Sequence, residues 1–234
     1  MIVPYSCGDV SISRRTTYPQ DLEVCHEVIR DDTYRLGDLL PRLREEVGRP
    51  LRVLDLGGHI GCFSAMVHAV DPEAEIHTYE MHPLNVALLR RNVGAFAAVT
   101  QACITPWPAQ DFIIADAFPY GESGGAFIVY PECFDERTSY TPTPYEGETR
   151  TLDEITEQIG YVDLVKMDIE AQEGPILETT THFDRFGHVV GEMHRATELV
   201  PILDALPHHD VDVTHIDGTE FGYFTICNRQ KPLT

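Results

Sequence analysis

Positive charge is scarce in this 234-residue chain: 17 Lys and Arg stand against 38 Asp and Glu, a formal net charge of −21. Nucleic acid is bound by neutralising phosphates with basic side chains, so a nucleic-acid partner is excluded, and an anionic membrane surface with it. Long apolar runs are missing too. None reaches the roughly 18 residues that a membrane-crossing helix needs. The opening "MIVPYSCGDVSISRR" lacks a basic segment followed by an apolar one, so no secretory signal is expected. No C-x-x-C pair occurs. The six cysteines (Cys7, Cys25, Cys62, Cys103, Cys133, Cys227) are scattered, which reads as reduced, mostly core thiols of a cytoplasmic protein. No internal repeat or low-complexity segment breaks the chain.

What is present is a globular composition, 43% apolar and 9% aromatic, with a regular alternation of patterns. Residues 1–20 are turn-rich, with one alternating run, "VSISRR". A helical pattern then runs from Asp21 to Val47, broken near "RDDTYRLG" and stopped by Gly48 and Pro50. From "LRVLDL" onward, apolar strand-like runs alternate with helical segments, the mark of βαβ units and a parallel sheet. Residues 104–150 interrupt that rhythm with Pro, Gly, Ser and Thr, and read as an inserted loop or hairpin. The last two strand patterns are joined by "DGTE" and should pair antiparallel. The expectation is one α/β domain over 1–234, with a helical cover in 1–50 and a Rossmann-like, mixed seven-stranded sheet carrying helices on both faces.

The stretch "VLDLGGHIG" places Gly57, Gly58 and Gly61 where strand turns into helix. Glycine lets backbone approach a ligand there, and the helix start offers free N–H groups. A dinucleotide site wants G-x-G-x-x-G. Here Asp55 stands two residues before Gly57, in the place of a glycine. A carboxylate would repel a pyrophosphate but suit the sulfonium and ammonium of S-adenosylmethionine. Glu80 ends the next strand, where an acid can hold ribose hydroxyls.

These stretches resemble the FkbM-type family of S-adenosylmethionine-dependent methyltransferases. "VLDLGGHIGCFS" is similar to the family's first motif. "YEMHPLNVALLRRNV" is similar to its second, with Glu80, Pro83, Asn85, Leu89 and Asn92 in place. "TLDEI" and "VDLVKMDIEAQE" resemble its third, and "VVGEMH" its late Glu-x-His strand. Gly58 and His59 stand where the family has Ala-Asn, and Ala171 replaces a glycine. The resemblance implies a class I methyltransferase fold and a cofactor site at Tyr34, Asp55, Gly57, Gly58, His59, Gly61, Glu80 and Met81.

In open α/β sheets ligands bind outside the carboxyl ends of strands. Asp168, Glu192 and His194 lie near such ends, on the rim that also carries Asp55 and Glu80. Asp168, Glu170 and His194 are therefore the candidate catalytic groups, able to take a proton from an acceptor. Glu173 reads as a helix-start acid, and Lys166 as a local ion-pair partner. Asp168, Glu192 and His194 could alternatively hold Mg²⁺. His68, His77 and His82 have no metal spacing, and His208 and His209 read as a surface turn. The expected activity is O-methylation of a small molecule in specialised metabolism, with N-methylation of a basic small molecule as the alternative, since an acidic protein favours a cationic acceptor. From other classes, an NAD-dependent oxidoreductase and a catalytically silent cofactor-binding protein stay open, and a homodimer is compatible with the chain.

Overall fold

A computed structural model describes residues 1–108, 113–116, 126–129, 141–145, 147–206, 209–215 and 219–229. Cys133, His208 and the connecting stretches of the 104–150 insertion fall outside these residues.

The chain opens with an antiparallel hairpin, β1 (Ile2–Cys7) and β2 (Val10–Arg15). Only the second strand is visible as a pattern. Pro4 interrupts the first, and proline is tolerated because β1 is an edge strand. The region before residue 50 is thus a hairpin followed by helices, not a helical cover alone. Helix α1 (Pro19–Val24) continues into a π-helical turn over Cys25–Arg30, and α2 (Leu36–Val47) follows. The break falls inside "RDDTYRLG", where Asp32 and Arg35 take positive φ. Gly48, at φ 69°, ends α2.

The alternating part runs β3 (Arg52–Leu56), α3 (Cys62–Val70), β4 (Glu75–Glu80), α4 (Pro83–Val93) and β5 (Ala97–Ile104). Inside the insertion, β6 (Ile113–Asp116), β7 (Ala126–Val129) and β8 (Thr141–Pro144) form a separate antiparallel sheet in the order β7-β6-β8. Then come β9 (Glu148–Arg150), α5 (Leu152–Ile159), β10 (Val162–Met167), α6 (Glu173–Thr179), β11 (Phe186–Met193), α7 (Ala196–Asp204), β12 (His209–His215) and β13 (Gly222–Asn228).

The central sheet has the order β12-β13-β11-β10-β3-β4-β5-β9. Strands β11, β10, β3, β4, β5 and β9 are parallel neighbours, while β13 runs antiparallel to both β11 and β12. The sheet is mixed, as expected, but has eight strands instead of seven. The extra one is β9, whose three residues "ETR" are too short and polar to register as a strand pattern.

Strands buried on both faces read as continuous apolar runs, and β3 and β10 show why. Val53 and Leu164 join one core cluster with Leu39, Leu40, Phe63 and Leu89. Leu54, Leu56, Val165 and Met167 join the other with Leu152, Ile155, Leu177 and Leu199. Helix α5 is fixed by a capping box in which Thr151 and Glu154 exchange hydrogen bonds. Part of the Thr-Leu-Asp motif is thus helix-start chemistry.

Candidate active site

At the carboxyl ends of β3, β4 and β10 lies an open cleft. Its floor is the turn from β3 into α3. Gly57 has φ +78°, and a Cβ there would stand 1.9 Å from the Asp168 carbonyl oxygen. Only glycine lets this turn press against the end of β10. The Gly57 and Gly58 amides both donate to the Tyr79 carbonyl, at 3.0 and 2.8 Å, which anchors the turn to β4.

Glu80 ends β4, lines the cleft and is buried. The His59 amide donates to its Oε2 at 2.8 Å and the His82 amide to its Oε1 at 2.7 Å. Burial pushes its pKa up against these backbone donors. Asp55 is wholly buried behind the turn and is not a cleft residue. Its Oδ2 accepts from Ser64 Oγ (2.7 Å) and Thr78 Oγ1 (3.3 Å). Its Oδ1 has no hydrogen bond among the described residues and faces Lys166 Nζ at 3.8 Å. Burial raises the Asp55 pKa, and Lys166 opposes it.

Lys166, on β10, is the buried cation that joins the two halves of the site. Its Nζ donates to the Gly57 carbonyl at 2.6 Å and lies 3.1 Å from Asp168 Oδ2. Burial would lower its pKa, but Asp168 and Asp55 outweigh that and raise it, so the ammonium stays charged. Lys166 therefore pairs locally, as its sequence context indicates.

Beyond Lys166 the carboxylates gather. The ladder pairs Met167 with Gly191 and Glu192 with Tyr223, so Asp168, Glu192 and Tyr223 come to one edge of the sheet. His194 Nδ1 is 3.1 Å from Glu173 Oε1, and Nε2 is 3.5 Å from Glu170 Oε2 and 4.0 Å from Asp168 Oδ1. Burial opposes charge on His194, but Glu173, Asp168 and Glu170 push its pKa up to about 10. For Asp168, burial is outweighed by Lys166 and His194, which hold the carboxyl below its usual range. Burial pushes Glu170 and Glu192 up to about 8. Glu170 and Ala171 occupy the left-handed region, at φ +55° and +71°. Such backbone costs about 1–3 kcal/mol per residue and collects at functional sites. Glu173 is both the helix-start acid of α6 and the partner of His194, and its Oε1 also accepts the Ile169 amide at 2.9 Å.

The structure thus brings Asp168, Glu170 and His194 into one cluster, with Asp168 and Glu170 on the cleft wall beside Gly57, Gly58, His59, Glu80 and Met81. Gly61 caps α3 at φ 100° behind that wall. Tyr34 is not on the wall. It packs edge-on against Phe63, a cleft residue, and against Tyr223, with centroids 5.9 and 6.2 Å away. Asp168, Glu192 and His194 present ligand atoms within 4.8 Å of one another.

Sequence reasoning missed the contribution of the N-terminal segment. Val24 and Val28 line the cleft, and their i, i+4 spacing announces an apolar stripe without saying what it covers. Glu27, on the π-helical turn, accepts from Tyr223 Oη at 3.1 Å, and Asp168 adds to the effect of burial in raising its pKa. Arg15 holds the buried Asp21 at 2.6 Å, and Asp21 Oδ1 stands 3.5 Å from His59 Nε2. Burial keeps the His59 ring neutral, with a pKa of about 4.

Among the described residues no helix is long and apolar enough to cross a membrane. No curated protein matches the chain. Among solved structures, WbdD superposes with a TM-score of 0.50 at 13% identity, over 93% of this chain and 44% of that one. This chain therefore spans less than half the length of WbdD. A precorrin-6y C5,15-methyltransferase from Geobacter metallireducens GS-15 gives 0.44 at 12% identity, over 82% and 88%. A ribosomal protein L11 methylase from Lactobacillus delbrueckii subsp. bulgaricus gives 0.46 at 11%, over 85% and 80%. At 13% identity the likeness to WbdD is one of fold. The profile of the methyltransferase FkbM domain matches residues 55–223, from the acid of the glycine turn to the tyrosine that meets Glu27. The chain belongs to the FkbM family of S-adenosylmethionine-dependent methyltransferases.

Proposed function

We propose that the protein methylates an oxygen of a small-molecule acceptor in biosynthesis. The observation that carries this reading is one cleft lined by the glycine turn and Glu80 as well as by Asp168 and Glu170. The donor set fits the cofactor. Glu80 has two oxygens already oriented by backbone amides, suited to the paired hydroxyls of a ribose. Asp168 and Glu170 suit a sulfonium beside them. S-adenosylmethionine, when bound, supplies a methyl group on a positively charged sulfur. Gly57, Gly58, His59 and Met81 would bound it, and Tyr34 would act on it through Phe63.

The remaining work is to align the acceptor and take its proton. Asp168 is engaged by Lys166 on one oxygen, so it is suited to holding the acceptor. Glu170 has only the longer contact to His194 and is the freer group to accept a proton. His194, anchored by Glu173, orients both. A basic acceptor methylated on nitrogen is the second reading, favoured by the surplus of carboxylates (Glu27, Asp168, Glu170, Glu173, Glu192) over Lys166 and His194 in this cluster.

The test has two stages. Calorimetric titration with S-adenosylhomocysteine should show one site per chain. Acceptor panels read by mass spectrometry should then show a single methyl gain on an alcohol or phenol, and an amine-only panel of hits would select the second reading. With that acceptor, Asp168→Asn, which removes the charge that holds the acceptor in line, should lower single-turnover methyl transfer about 100-fold at near-parent affinity for S-adenosylhomocysteine. Parent-like transfer would reduce Asp168 to a structural carboxylate.

A further inference from the structure

Glu192 raises a question that methyl transfer does not answer. It sits inside the sheet on β11, partly buried, and its side chain has no hydrogen bond or ion pair among the described residues. Its carboxylate lies beside the ligand atoms of Asp168 and His194, all within 4.8 Å of one another. An unpaired carboxylate in such a place is costly. A histidine whose second nitrogen is fixed by a carboxylate is the usual outer support of a metal ligand. Here His194 Nδ1 is held by the buried Glu173, which is itself fixed on the Ile169 amide. That leaves Nε2 turned toward Asp168 and Glu170. Lys166 occupies Asp168 Oδ2 and leaves Oδ1 facing His194.

We infer that Asp168, Glu192 and His194 form a divalent-cation site, with Mg²⁺ or Mn²⁺ as the ligand. The proposal deepens the methyltransferase reading and rests on it only for what the cation does. The three residues offer two carboxylate oxygens and one imidazole nitrogen within 4.8 Å of one another. Hard oxygen donors suit Mg²⁺ and Mn²⁺, and an imidazole is accepted more readily by Mn²⁺. Three protein ligands leave open positions on an octahedral ion. An acceptor oxygen bound at one of them would be made more acidic. Of the other charged groups around the cluster, Glu173 supports His194, Lys166 balances Asp168, and Glu27 is engaged by Tyr223.

The test uses Mn²⁺ itself on the full chain, without cofactor or acceptor, in buffer at physiological salt so that the overall charge of −21 is screened. Electron paramagnetic resonance titration should show one bound Mn²⁺ per chain, displaced by excess Mg²⁺, with electron spin-echo modulation from a single nitrogen. Glu192→Gln should weaken binding at least tenfold. His194→Gln should do the same and abolish the nitrogen modulation. Glu178→Gln, at an exposed acid on α6, should change nothing. Thermal melts confirm that each variant folds, and a parent melt that rises with Mn²⁺ supplies a second readout. Binding without nitrogen modulation, or binding lowered equally by Glu178→Gln, would overturn the site. Calorimetry with S-adenosylhomocysteine runs separately: cofactor binding without Mn²⁺ binding sinks the cation and spares the methyltransferase reading.

Discussion

At the glycine-turn end of the cleft, Glu80 has each oxygen on a backbone amide and Asp55 takes two hydroxyls on one oxygen. At the other end Glu192 has no such partner among the described residues, and Glu170 meets only a histidine at 3.5 Å. The first end is finished by the protein alone, because fixed N–H and O–H groups and, for Asp55 Oδ1, the Lys166 ammonium answer its carboxylates whatever is bound. The second is left short of positive charge and needs protons, a cation or an acceptor to complete it. Preorganisation suits a cofactor that is the same in every turnover. Incompleteness suits the place where protons move.

Lys166 spans both ends, so the largest effect is expected there. Replacing one partner of a buried ion pair strands the other charge and costs about 3–5 kcal/mol. Lys166→Met strands Asp55 and Asp168 together and removes the 2.6 Å bond to the Gly57 carbonyl. Urea denaturation should show a stability loss of that size, and any folded fraction should bind S-adenosylhomocysteine weakly. If stability is kept and only turnover falls, the two ends are energetically separate and the contrast between them holds more strictly than the geometry implies.

The next effect isolates the finished end. Glu80→Ala removes the charged acceptor of two amides and the expected holder of the ribose. Charge-assisted hydrogen bonds contribute about 1.5–3 kcal/mol, so calorimetric affinity for S-adenosylhomocysteine should fall by that amount. Because the His59 and His82 amides also lose their acceptor, melting temperature should fall with it. The sequence suggests a carboxylate that serves ligand alone. Loss of affinity at unchanged melting temperature would restore that simpler role.

The first end was also the more legible of the two. Its parts are local: apolar Val53 to Leu56, a glycine turn, and an acid closing the next strand. Each follows from burial on both faces and from what a tight strand-to-helix turn tolerates. The second end draws on partners that no motif links. Glu173 meets His194, and Glu27 meets Tyr223 across almost the whole sequence. Periodicity reports which side of an element is buried, not what lies against it, so Asp168, His194 and the local pairing of Lys166 could be named, but the Glu173 anchor of His194 and the Glu27–Tyr223 contact could not. Hairpin β1–β2 and edge strand β9 escaped for a plainer reason: Pro4 and the polar "ETR" carry no strand signal.

The smallest effect probes the backbone that holds Glu170 in the unfinished end. Ala171 stands where family members carry glycine, and it takes φ +71° next to Glu170 at φ +55°. An L-residue in the left-handed region is strained by about 1–2 kcal/mol. Glycine would relieve that strain, while its freer unfolded chain takes back about 0.4–1 kcal/mol. Ala171→Gly should therefore stabilise the fold by up to about 1 kcal/mol, from the difference of those two terms. A gain in stability paired with slower methyl transfer and unchanged S-adenosylhomocysteine affinity is the expected outcome, because the strain at 171 holds the Glu170 carboxylate against His194 and the cleft. The effect belongs to the acceptor end alone, so cofactor affinity is its internal control. Should Ala171→Gly lower stability, the left-handed turn at 170–171 is not strained in solution, and Glu170 is held by its ion pair with His194 and not by the backbone.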